Sequence, residues 1–289
     1  MIDRLPLYDR VAHETAGVVI RRYSTSFGLA SKLLDGATRS HIENIYALVR
    51  LADEIVDGGA AEAGVDRQVA RQLLDELEAE THTALERGYS TNLVVHAFAT
   101  TGREVGIGPD LTAPFFASMR ADLTETTHTP DSFAAYVYGS AEVVGLMCLR
   151  AFVLGCEYTP QQHERLIEGA RRLGAAFQKV NFLRDLAADF ETLGRSYFPG
   201  VDVESFDEAT KNRLLDDIDD DLRAARETIP DLPAGCRRAV ALAHGLFHEL
   251  SRRLRRTPAD RLIASRVRVP NPVKVRIAAA VSLGRLAAR

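Results

Sequence analysis

The sequence predicts a single all-α domain, a helical bundle covering residues 1–289 with a central apolar cavity. Three observations lead there. Apolar residues recur at three- and four-residue intervals through most of the chain. The punctuation between these stretches, GGAAEAG, GIGPD, THTPD, EYTP and IPDLPAG, consists of helix-stop and N-cap residues. Strand-like alternation, a repeat and a Gly/Ser linker are all missing from the pattern. Predicted helices run over 8–22, 38–57, 66–87, 91–106, 112–125, 131–154, 160–192, 206–226, 234–256 and 271–287.

The first junction is RRYSTSFGLASKLL, where Arg21, Arg22, Tyr23, Ser24, Thr25 and Ser26 fall between two helices. Hydroxyls and free N–H groups at a helix start, beside arginines, suit an anion. An ordinary N-cap with solvated arginines accounts for the same residues. The helix over 38–57 buries Ile45, Leu48, Val49, Ala52 and Val56 and stops at Gly58 and Gly59. Its last turn holds Asp53 and Asp57, one turn apart and at the negative end of the helix dipole, where a cation is favoured. Arg50 shares their face, placed to neutralise Asp53 or to bind a phosphate.

The segment FAAYVYGSAEVVGLMCLRAF is small and apolar, with Tyr136 and Tyr138 at its entry. Glycine inside a helix costs about 1 kcal/mol relative to alanine, so Gly139 and Gly145 mark the close approach of a neighbouring helix or of a ligand. In the ligand reading Val143, Val144, Gly145, Leu146 and Met147 wall a channel for a long apolar chain.

In QKVNFLRDLAADFETLGRSYFP, Gln178, Asn181, Asp185 and Asp189 project from one helical stripe, flanked by the packing residues Val180, Leu183 and Leu186. Carboxylates one turn apart repel unless a cation lies between them, and oxygen ligands suit a hard ion such as magnesium. One such pair is commonplace on a solvated helix face. A second pair, Asp53 and Asp57, on another helix makes a cluster of divalent ions between two facing helices the sharper reading. The last helix, NPVKVRIAAAVSLGRLAAR, carries Lys274, Arg276, Arg285 and Arg289 around an apolar centre. It either packs on the bundle or touches anionic lipid.

Composition limits the alternatives. An apolar content of 46% is ordinary for a globular chain, and a net charge of -4 gives no support to a nucleic-acid partner. Cys148, Cys156 and Cys236 are odd in number and lack a CxxC, so a reducing, cytoplasmic setting is expected, with neither a disulfide framework nor a zinc site. The N-terminal residues do not read as a signal peptide, and no apolar run reaches the roughly 18 residues of a membrane span. A chain that is soluble or at most peripheral at the membrane is therefore expected.

Taken together, STSFGLASKLL, IYALVRLADEIVD, YVYGSAEVVG and QKVNFLRDLAADFETLGRSYFP, in this order, resemble the squalene and phytoene synthase family. The resemblance implies the class I isoprenoid synthase fold and head-to-head condensation of two prenyl diphosphates, with magnesium, or manganese in its place, as cofactor. It implies that Asp53, Asp57, Asp185 and Asp189, with Asn181 and Gln178, surround the metal. It further implies that Arg50, Ser24, Ser26 and Arg266 lie near the diphosphates and Tyr136 near the reacting carbons. The allylic cation formed on ionisation is captured by the second chain's double bond to give a cyclopropylcarbinyl diphosphate. A second ionisation, rearrangement and proton loss give phytoene or dehydrosqualene, and reduction by NADPH gives squalene instead. A downstream desaturase is the expected consumer of a carotenoid precursor. The C20 substrate and phytoene are expected here, on the grounds that neither a membrane-anchoring C-terminus nor a GxGxxG fingerprint is seen.

Four positions depart from the family pattern. Thr25 stands where Lys is frequent between the serines, Glu142 where a small Gly is frequent, Phe247 where a tyrosine is frequent, and Ala188 where an acid often precedes the last aspartate. A non-catalytic assembly factor on the same fold is the non-enzyme alternative, and retention of all four aspartates argues against it. A di-iron bundle needs two Glu-x-x-His motifs, and only Glu125 with His128 fits that spacing. His244 and His248 have no third zinc ligand in the sequence pattern.

Overall fold

The computed structural model describes residues 3–193 and 196–284, the side chains of 187–193 excepted. Its helices are α1 (Arg4–Tyr23), α2 (Thr25–Ser31), α3 (Gly36–Asp57), α4 (Gly59–Glu62), α5 (Arg67–Arg87), α6 (Leu93–Val105), α7 (Pro109–Thr124) and α8 (Pro130–Val137). After a π-helical turn over Tyr138–Glu142 come α9 (Val143–Phe152), α10 (Pro160–Leu193), α11 (Glu208–Thr228), α12 (Ala234–Arg256), α13 (Ala259–Leu262) and α14 (Asn271–Ser282). The described residues contain no strand, only an isolated bridge between Thr127 and Ser196.

Local chemistry sets the boundaries. Asp35, Asp66, Asn92 and Asp207 each cap a helix by accepting a backbone N–H, and Thr129 with Ser132 forms a reciprocal capping box. Gly88 and Gly106 close α5 and α6 at φ 79°, a left-handed conformation that glycine adopts without a Cβ clash. Gly58, by contrast, has an extended φ of -179°, which any residue adopts, so its role as a stop residue is weaker than expected.

Two large clusters of apolar side chains form the core. One gathers Ile45, Leu48, Ala52 and Val56 of α3 with residues of α5, α6, α7 and α9. The other gathers Val180, Leu183 and Leu186 of α10 with α11 and α12. The two acid-bearing helices thus bury their apolar faces in different clusters. A third cluster holds α14 on α12 through Ile277, Ala278 and Val281, so the last helix packs as expected.

The segment expected as one helix over 131–154 is broken by the π-helical turn. Gly139 explains the break: a Cβ there would overlap the Pro114 carbonyl of α7, and the Ser118 hydroxyl of α7 donates to the Tyr136 carbonyl at 3.1 Å. Pro130–Phe152 is also, by length and composition alone, apolar enough to cross a membrane, contrary to the sequence expectation. Within the fold it lies between α7 and α10, and Glu142 near its middle is paired with Arg171 of α10 at 2.7 Å.

Candidate active site

The first acid pair ends α3. The Asp53 carboxyl is pushed up to about 7, first by burial and then by the charge of Asp57. About 30% of its side chain nevertheless stays reachable by solvent. The carboxyl is thus crowded by protein yet still reached by water. Arg50 is half-buried on the same face; its Nε donates to Glu54 at 2.9 Å, and its terminal nitrogen lies 3.9 Å from Asp53. Its guanidinium sits 4.6 Å over the Tyr23 ring. Glu54, not Asp53, is therefore its principal partner, as the i,i+4 spacing allows. Tyr46, whose phenol burial shifts upward, has Arg50, Asp53 and the Ser24 hydroxyl as its polar neighbours.

Ser24 itself caps α2, accepting the Phe27 N–H at 3.0 Å. The capping reading of the first junction thus holds for this serine. Ser26 is half-buried beside it.

The second acid pair is on α10. Asp185 is flanked by two guanidiniums: Arg184 donates from Nε at 2.9 Å, and Arg266 donates from Nε at 2.8 Å and from a terminal nitrogen at 3.1 Å. Gln178 and Asn181, on the same stripe, are half-buried and make no hydrogen bond among the described residues. The side chains of Ala188 and Asp189 lie outside the described residues, so the second pair is seen through Asp185 alone. Among the described residues no three carboxylate, imidazole or thiol groups converge to hold a metal. The predicted cluster is represented by its two halves rather than by one closed ligand shell.

Tyr136 is buried, and its hydroxyl meets both oxygens of Asp122, at 2.7 and 2.8 Å. Burial, then the Asp122 charge, holds its phenol well above the usual range, so the hydroxyl stays a donor. Tyr197 approaches Asp122 at 3.5 Å, and the His128 ring lies against Tyr197 and Tyr136. Asp57 is close enough for its charge to act on Tyr136, which links this network to the first acid pair.

One expectation is corrected. Gly145 does not wall a channel: a Cβ there would overlap the Ala170 carbonyl of α10, so this glycine serves close helix packing. Gly174 repeats the device from the other side against Ala141. Val144, half-buried against the α3 cluster, remains a wall candidate. The departures also find partners. Phe247 stacks on Phe177 with ring centroids 3.9 Å apart and lies 5.7 Å from Phe27, an apolar setting that needs no hydroxyl. His244 donates from Nε2 to the Leu222 carbonyl at 2.8 Å and stacks on His248 as a packing pair.

Sequence reasoning missed Asp122 and Arg184. Arg184 was legible as the neighbour of Asp185. Asp122 reaches its partner only through tertiary structure.

Among the described residues the chain is helical, with Asp53 and Asp57 ending α3 beside Arg50 and with Asp185 on α10 between Arg184 and Arg266. Its solved relatives share the fold: a dehydrosqualene synthase in complex with ligand aligns with a TM-score of 0.76 at 21% identity, covering 96% of this chain and 97% of that one. A squalene synthase from Alicyclobacillus acidocaldarius aligns with a TM-score of 0.72 at 21% identity, covering 87% and 95%. In sequence, the chain is 30% identical over 248 residues to a phytoene synthase of Pseudescherichia vulneris, covering 78% of this chain and 77% of that one. It is 29% identical over 252 residues to a 15-cis-phytoene synthase of Enterobacter agglomerans, covering 78% and 80%. The squalene/phytoene synthase family profile matches residues 20–273, and the chain belongs to that family. It is a prenyltransferase.

Proposed function

We propose that this chain joins two prenyl diphosphates head to head, with two C20 chains as substrates and phytoene as product. The observation that carries the reading is the Asp53–Asp57 pair, in which burial and mutual repulsion push the Asp53 carboxyl up to about 7. Such a pair calls for a cation, and hard oxygen donors suit magnesium. Asp53 and Asp57 on one side, and Asp185 and Asp189 with Asn181 and Gln178 on the other, are the residues that hold it in this reading. The half-buried amides of Gln178 and Asn181, without a hydrogen bond among the described residues, fit that role. When bound, the metal supplies neutralisation of the diphosphate leaving group.

The chain's own residues account for the rest. Arg50 and Arg266, each held at an acid in this structure, turn to the diphosphate oxygens as the allylic C–O bond breaks. Apolar residues such as Val144 keep water from the cation while the second chain's double bond attacks C1. A C–C bond forms, a proton leaves, and a cyclopropylcarbinyl diphosphate results. Its ionisation, rearrangement and loss of a second proton complete the triene core. Tyr136, fixed on Asp122, is the polar group nearest the reacting carbons in this reading. Val275 of α14 and Leu283, which follows it, are exposed and support a peripheral lipid contact that releases the hydrocarbon to a downstream desaturase.

The test is incubation of purified protein with magnesium and either farnesyl or geranylgeranyl diphosphate, with and without NADPH, followed by mass analysis of the extracted hydrocarbons. A magnesium-dependent C40 product, lost in Asp53→Ala and Asp185→Ala, is expected. A C30 product moves the assignment to dehydrosqualene or squalene. No hydrocarbon from either substrate overturns the reading.

A further inference from the structure

We infer that Ser140, in the π-helical turn Tyr138–Glu142, is a substrate-facing residue whose hydroxyl oxygen stabilises the allylic cation as the diphosphate leaves. The inference rests on the proposed function and adds to it a residue outside the aspartate, arginine and tyrosine set.

Two buried side-chain polar atoms lack a hydrogen-bond partner among the described residues, the Asn44 amide oxygen and the Ser140 hydroxyl. They differ in kind. Asn44 is held through its amide nitrogen, by His13 at 2.7 Å and by Thr101 at 2.9 Å, so only one end of an anchored side chain is spare. Ser140 is 8% exposed, and its single polar atom is shut off from bulk solvent without any bond to the protein. A serine within a helix ordinarily donates to the carbonyl one turn back. Here that carbonyl, of Tyr136, already accepts from the Ser118 hydroxyl of α7 at 3.1 Å. Leaving a buried hydroxyl unpaired costs stability, and alanine would occupy the place without that cost. The partner of this hydroxyl arrives with a ligand.

Position says which ligand. Tyr136 and Val137, on the preceding turn, belong to the α10 cluster, whereas Val143 and Met147, on the following turns, belong to the α3 cluster. Ser140 stands where the chain passes from one to the other, and α3 and α10 are the helices that carry the acid pairs. One turn back, Tyr136 is within reach of the Asp57 charge. Backbone on both sides holds the turn in place: a Cβ on Gly139 would overlap the Pro114 carbonyl of α7, and a Cβ on Gly174 of α10 would overlap the Ala141 carbonyl. A prenyl chain is apolar, and the positive charge it acquires on C–O cleavage is the feature that a lone hydroxyl oxygen recognises. Among apolar side chains a fixed lone pair stabilises such a charge more than it would in water, and it needs no reorganisation as the charge develops. Ser140 forms no bond to the cation, and no proton moves.

The test compares wild type with Ser140→Ala and with the pair Ser140→Thr and Ser140→Val, which match in shape and differ by the hydroxyl. Thermal midpoints are measured without ligand, and kcat and KM with magnesium and geranylgeranyl diphosphate, or farnesyl diphosphate if wild type condenses that instead. Ser140→Ala is expected to melt roughly 2–4 °C higher, because an unpaired buried group is gone. It should nevertheless turn over about tenfold more slowly at unchanged KM, since the charge exists only beyond the ground state. Ser140→Thr should exceed Ser140→Val by a similar factor in kcat. Wild-type turnover in Ser140→Ala overturns the inference and leaves the proposed function standing, as does equal turnover of the threonine and valine variants. A lowered midpoint in Ser140→Ala overturns it too, because the hydroxyl then has a structural partner. No hydrocarbon from wild type overturns the proposed function, and this inference with it.

Discussion

Replacing Asp53 with asparagine should stabilise the metal-free protein while abolishing its response to magnesium. The carboxyl moves from 3.8 to about 7 on folding, through burial first and the Asp57 charge second. A raised folded value means that the folded chain holds the proton more tightly than the unfolded one. Stability is therefore fullest below 3.8, declines as pH rises through the interval to about 7, and carries the whole penalty above it. That interval corresponds to at most about 4 kcal/mol at 1.36 kcal/mol for each tenfold change in proton affinity. Solvent reaches about 30% of the side chain, and this screening reduces the figure to about 1–2 kcal/mol. Asp53→Asn keeps the shape and removes the charge. In chelator at about pH 8 its thermal midpoint should exceed that of wild type by roughly 2–6 °C, and the gap should close near pH 4. Added magnesium should raise the wild-type midpoint and leave the variant unmoved. A variant less stable than wild type at about pH 8 in chelator would refute the repulsion argument, because the acid would then be an ordinary, satisfied surface group.

Two further outcomes follow from buried groups. His244 is buried on the Leu222 carbonyl, and burial lowers its pKa to about 4 from 6.5. The unfolded chain takes up that proton first, so stability should fall as pH drops from 6.5 towards 4 and level off below. The total is on the order of 3 kcal/mol, and urea unfolding across that range should show it flattened in His244→Gln. Gly145→Ala should cost about 1–3 kcal/mol, since the added methyl meets the Ala170 carbonyl, and should leave product length unchanged. A shifted product length with an unaltered midpoint would return Gly145 to the channel wall.

The charge arrangement around the acid pairs has a consequence for the unliganded enzyme. Asp185 would be a poor packing element if left bare, and Arg184 and Arg266 together neutralise it. Arg50 is likewise engaged by Glu54. Both arginines proposed for the diphosphate therefore start from an ion pair, and substrate binding is an exchange of partners rather than the filling of an empty cation site. Such an exchange tempers the net binding energy of each arginine, because the lost carboxylate contact offsets the new phosphate contact.

How far the sequence could be read depended on the range of the interactions involved. The long helices were legible because a buried face repeats every three or four residues, as Ile45, Leu48, Ala52 and Val56 do. Helices α2, α4 and α13, of seven, four and four residues, are too short to establish that period and went unseen. The aspartate pairs were legible because their geometry is local to one helix turn. Whether Gly145 meets a ligand or a helix was not, since the deciding atom, the Ala170 carbonyl, belongs to α10. The same holds for the departures from the family pattern. Glu142 read alone is a charge in an apolar wall, whereas in the fold Arg171 neutralises it at 2.7 Å. Thr25 read alone is a missing cation, whereas in the fold its hydroxyl accepts from the Lys274 ammonium at 2.7 Å. A departure from a sequence pattern is interpretable only once the structure shows which distant residue meets it.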